Sequence, residues 1–151
     1  MITETLTQTF QQVRQQTHPR CVVCSQQNSQ GLKLDFHPAA NGAVEAEFTF
    51  DTLFEGYPNM LHGGVICAIL DGAMTNCLFS HDCIAVTADL HVRFRHPVAT
   101  NHSACVHAWI SRSTTSLYEV KAKLIQDEQL KVTATGKFMR KPHLHGKGTH
   151  D

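Results

Sequence analysis

The sequence has no run of apolar residues long enough to span a bilayer. Its first nineteen residues, MITETLTQTFQQVRQQTHP, are polar and lack the apolar segment of a secretory signal. The expected location is therefore cytoplasmic. Charge of either sign is not in excess, because 13 Lys and Arg face 13 Asp and Glu. That excludes the basic surplus by which nucleic-acid binders hold phosphate, while leaving room for a small patch for an anionic ligand. No nucleic acid and no membrane are expected as partners. No repeat and no linker divides the 151 residues, of which 42% are apolar and 17% charged, so one globular domain with its own core is expected.

The six cysteines are expected to be reduced thiols in that location. Cys67, Cys77 and Cys105 stand in apolar surroundings and read as small core residues. Histidines are numerous, eleven in all. His143, His145 and His150 belong to the polar tail 141–151, read as flexible, where only adventitious metal binding is expected.

Ile2, Leu6, Phe10 and Val13 form a helical stripe, and Pro19 closes that helix. Residues 1–20 are thus an N-terminal helix and lead-in, and 20–30 a loop. Alternation of Leu32, Leu34 and Phe36 predicts a strand over 31–37, and Val44, Ala46, Phe48 and Phe50 predict one over 43–50. Asn41-Gly42 between them is a hairpin turn signal. After a loop over 51–62, residues 64–79 are apolar and small on most sides, which predicts a helix buried nearly all round. Gly72 within it implies a close approach by another backbone. Strands are then predicted over 84–95, 103–112, 117–126 and 130–139, joined by short turns that imply antiparallel neighbours. In 84–95, Ile84, Val86, Ala88, Leu90, Val92 and Phe94 fall on one face. Thr87, Arg93 and Arg95 fall on the other. The class is α+β: an antiparallel sheet of about six strands around one long central helix, with an extra N-terminal helix.

Asp71 is the one charged residue between Gly63 and Ser80. Its helical neighbours Cys67, Ala68, Met74 and Thr75 include no cation. A carboxylate here needs a partner from another element, or an open site, or solvent on a partly exposed helix. Gly63 and Gly64 stand where the helix begins, where backbone N–H groups are unsatisfied and the dipole is positive. Such N–H groups stabilise an oxyanion, although a Gly-Gly pair is equally a flexible helix entry.

The segment LHGGVICAILDGAM resembles the His-Gly-Gly-(six residues)-Asp signature of the hotdog thioesterase superfamily, of the phenylacetate-degradation type. The frame 21–140 resembles that family too, through CVVCSQQNSQGLKLDF and TADLHVRFRHPV. Thr87, sixteen residues after Asp71, matches a threonine of the mammalian thioesterase-superfamily branch. The resemblance implies a hotdog domain and an acyl-CoA thioesterase that splits the thioester of an acyl- or aryl-CoA into free acid and CoA. It gives Asp71 the role of general base or nucleophile. It makes Gly64 or Gly63 the oxyanion donor, His62 the residue shaping the entry loop, and Thr87 a water-positioning group. Asn59, Arg93, Arg95 and the stretch Ser116, Leu117, Tyr118, Glu119, Val120 and Lys121 become candidates for binding the substrate. No cofactor beyond the substrate's own coenzyme A is implied. An enoyl-thioester hydratase and a non-catalytic acyl-CoA-binding module are the alternatives on the same fold.

Gly64 and Asp71 are about 10 Å apart along one helix, too far for both to touch one carbonyl. Gly64 of one subunit is therefore expected to work with Asp71 of another across a homodimer interface, with a tetramer left open. Some relatives carry Asn or Gln six residues before the His, and this chain has Gly56 there. Cys21 and Cys24, with His18 three residues earlier, lack a second Cys pair to complete a four-ligand zinc site, so no metal site is expected.

Overall fold

The structure is a computed structural model and describes residues 4–141. Helix α1 spans Glu4–Thr17, and strands β1 and β2 span His37–Pro38 and Val44–Phe48. Helix α2 spans Gly63–Ser80, and β3 to β6 span Ala85–Phe94, Ala104–Ser113, Leu117–Gln126 and Gln129–Arg140. All pairings are antiparallel, in the order β1-β2-β4-β5-β6-β3.

Period two sets one face of the sheet against α2. Val106, Ala108, Val120, Ala122, Leu124, Val132 and Phe138 on that face are buried, as are Ile69, Leu70, Ala73, Met74, Leu78 and Phe79 of the helix. Burying side chains of this size contributes roughly 1.5–3 kcal/mol each for the larger ones, which makes the helix-in-sheet core the main source of stability. The helix rides close to the sheet at Gly136, where a Cβ would stand 2.7 Å from Met74 Sδ. Phe10 and Val13 bury the stripe of α1. Ile2 of that stripe, and His143, His145 and His150, lie outside the described residues.

The hairpin turn falls at Ala40–Gly42, with Asn41 and Gly42 at positive φ as their sequence suggests. The expected strand over 31–37 does not form, except for its last residue. Lys33 adopts φ 54, which breaks the extended run, and Leu32 and Leu34 donate instead to the carbonyls of Val22 and Val23. Leu34 and Phe36 are still buried, so the alternation marked the core correctly and the hydrogen-bond partner wrongly.

The alternation of β3 also fails at one point. Its register against β6 shifts between Thr87 and Asp89, so Ala88 is a bulge and the faces exchange there. Thr87 pairs with Phe138, Leu90 with Gly136 and Val92 with Ala134, all on the inner face, whereas Arg93 pairs with Thr133 on the outer one. Thr87 and Arg93 therefore do not share a face. Nor is α2 buried all round. Gly72 to Phe79 are buried, but Gly64 is exposed and Val65, Cys67, Ala68 and Asp71 are half-buried. Cys77 is in the core as expected, while Cys67 and Cys105 are only half-buried. Cys105 is on the outer sheet face, opposite Glu47. Among the described residues α2 alone is apolar and long enough to cross a membrane by length and composition, but its buried half is sealed inside its own sheet.

Candidate active site

Asp71 stands at the boundary between the sealed and open halves of α2. Its partner comes from β3: Thr87 Oγ1 donates to Asp71 Oδ1 at 2.6 Å. The bulge at Ala88 makes this possible, because without the extra residue Thr87 could not share the inner face with Leu90 and Val92. One carboxylate oxygen is thereby fixed, and Oδ2 makes no hydrogen bond among the described residues. A carboxylate held by one oxygen with the other open can accept a proton from water or attack an electrophile.

The start of α2 forms a second group. His62 is the N-cap with extended backbone, and its Nδ1 accepts from the Gly64 N–H at 2.8 Å. The Gly64 donor is therefore occupied by the chain's own histidine. The N–H of Gly63 has no partner among the described residues, and Gly63 lines a cleft of about 720 Å³ of the size that holds small ligands. Of the two glycines, Gly63 is the one whose N–H is left open among the described residues.

The same cleft is lined by Gly56, Tyr57, Met60, His62 and Arg95. A Cβ on Gly56 would stand 3.2 Å from His62 Cδ2, so a larger residue at this position would compete for space with the histidine ring. Asp71 and Thr87 are not part of the cleft lining. Within one chain the structure does not bring the helix-start donor and the carboxylate together, since both belong to the continuous helix Gly63–Ser80.

The remaining candidates disperse. Arg95 faces the cleft, whereas Arg93 is exposed on the outer sheet face. Asn59 is an exposed loop residue at φ 63 whose N–H is held by Glu55. Ser116 to Lys121 do not make one contact strip. Tyr118 and Val120 point into the core, and Glu119 on the opposite face accepts from Ser111 Oγ at 2.9 Å. Tyr57, 78% exposed at the cleft rim, and Phe94, 52% exposed beside Gly63, were not singled out by sequence. Their signal is an aromatic exposed without an evident partner, which only the fold reveals.

The thiols differ by surroundings. A hydrogen bond from the Cys24 thiol brings Cys21 down to about 4, and the same bond together with burial pushes Cys24 up. Burial pushes Cys77 up to about 12.

The chain matches the model of the thioesterase superfamily over residues 58–133. No curated protein matches it. Among solved structures it resembles a thioesterase superfamily protein with TM-score 0.75 and 19% identity, over 78% of this chain and 62% of that one. It also resembles zebrafish thioesterase superfamily member 2, with TM-score 0.69 and 15% identity over 92% and 98% of the two chains. A third similar structure is a Streptococcus mutans protein bound to acetyl-CoA, with TM-score 0.67 and 16% identity over 72% and 88%. Those likenesses carry the fold, a hotdog. The family match covers half of the chain, including His62, both glycines, Asp71 and Thr87, and by it the chain belongs to the thioesterase superfamily.

Proposed function

We propose that this chain is an acyl-CoA thioesterase whose site is completed by a second copy. The observation that carries the reading is the 2.6 Å bond from Thr87 to Asp71. It orients a carboxylate that has no cation beside it on its helix and leaves Oδ2 free. Asp71 would take the proton of a water that adds to the thioester carbonyl, or attack that carbonyl itself to give an acyl anhydride that water then hydrolyses. The Gly63 N–H, at the positive end of α2, would stabilise the oxyanion that forms. The sulfur would leave as the thiol of coenzyme A. Arg95 in the cleft offers a cation for a phosphate, and the acetyl-CoA bound by the Streptococcus mutans relative supports a ligand of that class.

The second copy follows from the geometry of one chain. The carboxylate and the Gly63 donor are eight residues apart on one helix, about 12 Å by helical rise. Strand β3 is at the sheet edge, with most of its residues exposed. Val86 is 38% and Phe94 52% exposed on it. An open, partly apolar edge of ten residues is costly in water and suited to pairing with its own copy. Two such edges in antiparallel contact would lay the open faces of two α2 helices side by side, each donor facing the partner's Asp71.

The test is Asp71→Ala, assayed with a panel of acyl-CoAs by release of free thiol. Loss of about 100-fold or more in kcat is expected, the scale of a removed general base. Undiminished hydrolysis would overturn the role of Asp71. A wild-type protein that binds acyl-CoAs and hydrolyses none would make it a binding module instead.

A further inference from the structure

We propose that His18, Cys21 and Cys24 form a binding site for a thiolate-preferring divalent metal ion of the zinc class. Each residue offers one ligand atom, and these atoms all lie within 4.8 Å of one another. In a tetrahedral site such atoms are on the order of 3.7 Å apart, so rotamer adjustment suffices to close on an ion. Among the described residues no fourth protein ligand joins these three. In its place the fold provides a cavity of about 240 Å³ lined by Arg14, His18, Pro19 and Cys24. It gives an ion a way in and leaves the fourth position to water.

Neighbouring contacts hold the three residues in place. Helix α1 ends at Thr17, and His18 leaves it with its ring edge-on to Phe79, centroids 4.9 Å apart. His18 Nδ1 is buried and has no hydrogen bond among the described residues, so nothing competes for it. The Val23 N–H points at Cys21 Sγ at 3.4 Å, an arrangement that disperses the charge of a metal-bound thiolate. The loop is pinned by Leu32 and Leu34 on the carbonyls of Val22 and Val23, and by Arg14 Nη1 on the Cys24 carbonyl at 3.3 Å. Asn76, on α2 beside Cys24, is fully buried with Oδ1 unpartnered. It is a buried acceptor with no hydrogen bond among the described residues, and a metal-bound water would supply a donor.

Two thiolates and a neutral imidazole cancel the charge of a divalent ion, and any thiol proton still held is released on binding. No bond other than coordination forms and no oxidant is needed. The ion would tie the end of α1 and the loop 21–25 to α2 at Gly72 and Asn76, next to Asp71. The proposal is independent of whether Asp71 hydrolyses thioesters.

The experiment uses the full chain with His143, His145 and His150 replaced by alanine, which removes tail histidines as rival ligands. Reduced, chelator-stripped protein is titrated with Co2+. The expected result is one ion per chain, with a near-ultraviolet thiolate-to-cobalt band that Zn2+ displaces and that Cys21→Ser and Cys24→Ser each abolish. Zn2+ is expected to raise the melting temperature and a chelator to lower it. Absence of the band in this otherwise unaltered site overturns the proposal, whether or not the serine variants fold. So does a band that survives both serine variants. A Cys21–Cys24 disulfide in protein whose reduced form binds no Co2+ would also overturn it, in favour of a redox pair.

Discussion

Thr87 tests whether the site is built on a single hydrogen bond. Its hydroxyl fixes Asp71 Oδ1, and a hydrogen bond to a charged group is worth roughly 1.5–3 kcal/mol. If that bond acts by orienting the free oxygen, Thr87→Val should lower kcat by about tenfold or more with KM little changed. Thr87→Ser should restore most of the rate, because it keeps the donor. A Thr87→Val rate equal to wild type would make the contact merely structural. Asp71 itself was legible in the sequence, as a lone charge in an apolar helix. Thr87 was legible only through the family resemblance, since period two assigned it to the wrong face. The use of the Gly64 N–H by His62 was not legible at all. It depends on a side-chain rotamer at a helix cap, which a residue pattern does not encode.

At the scale of elements, α2 and the last four strands were readable because long apolar periodicity overrides local detail. The first strand and the β3 bulge were not. One turns on a single positive φ at Lys33 and the other on one extra residue, and neither changes composition. Gly72 shows how an element junction can be tested. The close approach expected there is real, but it is made by a side chain: an added Cβ would meet Val23 Cγ1 at 2.4 Å. In an exposed helix Gly→Ala would stabilise by about 1 kcal/mol. Here Gly72→Ala should destabilise, by about 1–3 kcal/mol, because the overlap pushes the 21–25 loop off the helix. Denaturant midpoints measure it. The double variant Gly72→Ala with Val23→Ala should recover part of the loss relative to the sum of the single changes. Strict additivity would mean that the two residues do not meet.

At the scale of the whole molecule, the sequence argued for two subunits from helix length alone, and the exposed β3 edge is where the proposed dimer would meet. A stringent test needs two variants that each remove one half of the site and leave the fold intact. Asp71→Ala removes the carboxylate. Gly63→Pro removes the donor N–H at the first position of α2, where proline is well tolerated. The backbone of His62 before it, φ −61 and ψ 136, already suits a residue preceding proline, and a Cβ at Gly63 meets only Phe94 at 3.7 Å. Each variant alone should lose about 100-fold in kcat. Mixed, unfolded and refolded together, they should regain roughly a quarter of wild-type activity. About half of the chains then sit in mixed dimers, each with one intact site of two. If donor and carboxylate acted within one chain, no mixed dimer would contain an intact site and mixing would restore nothing.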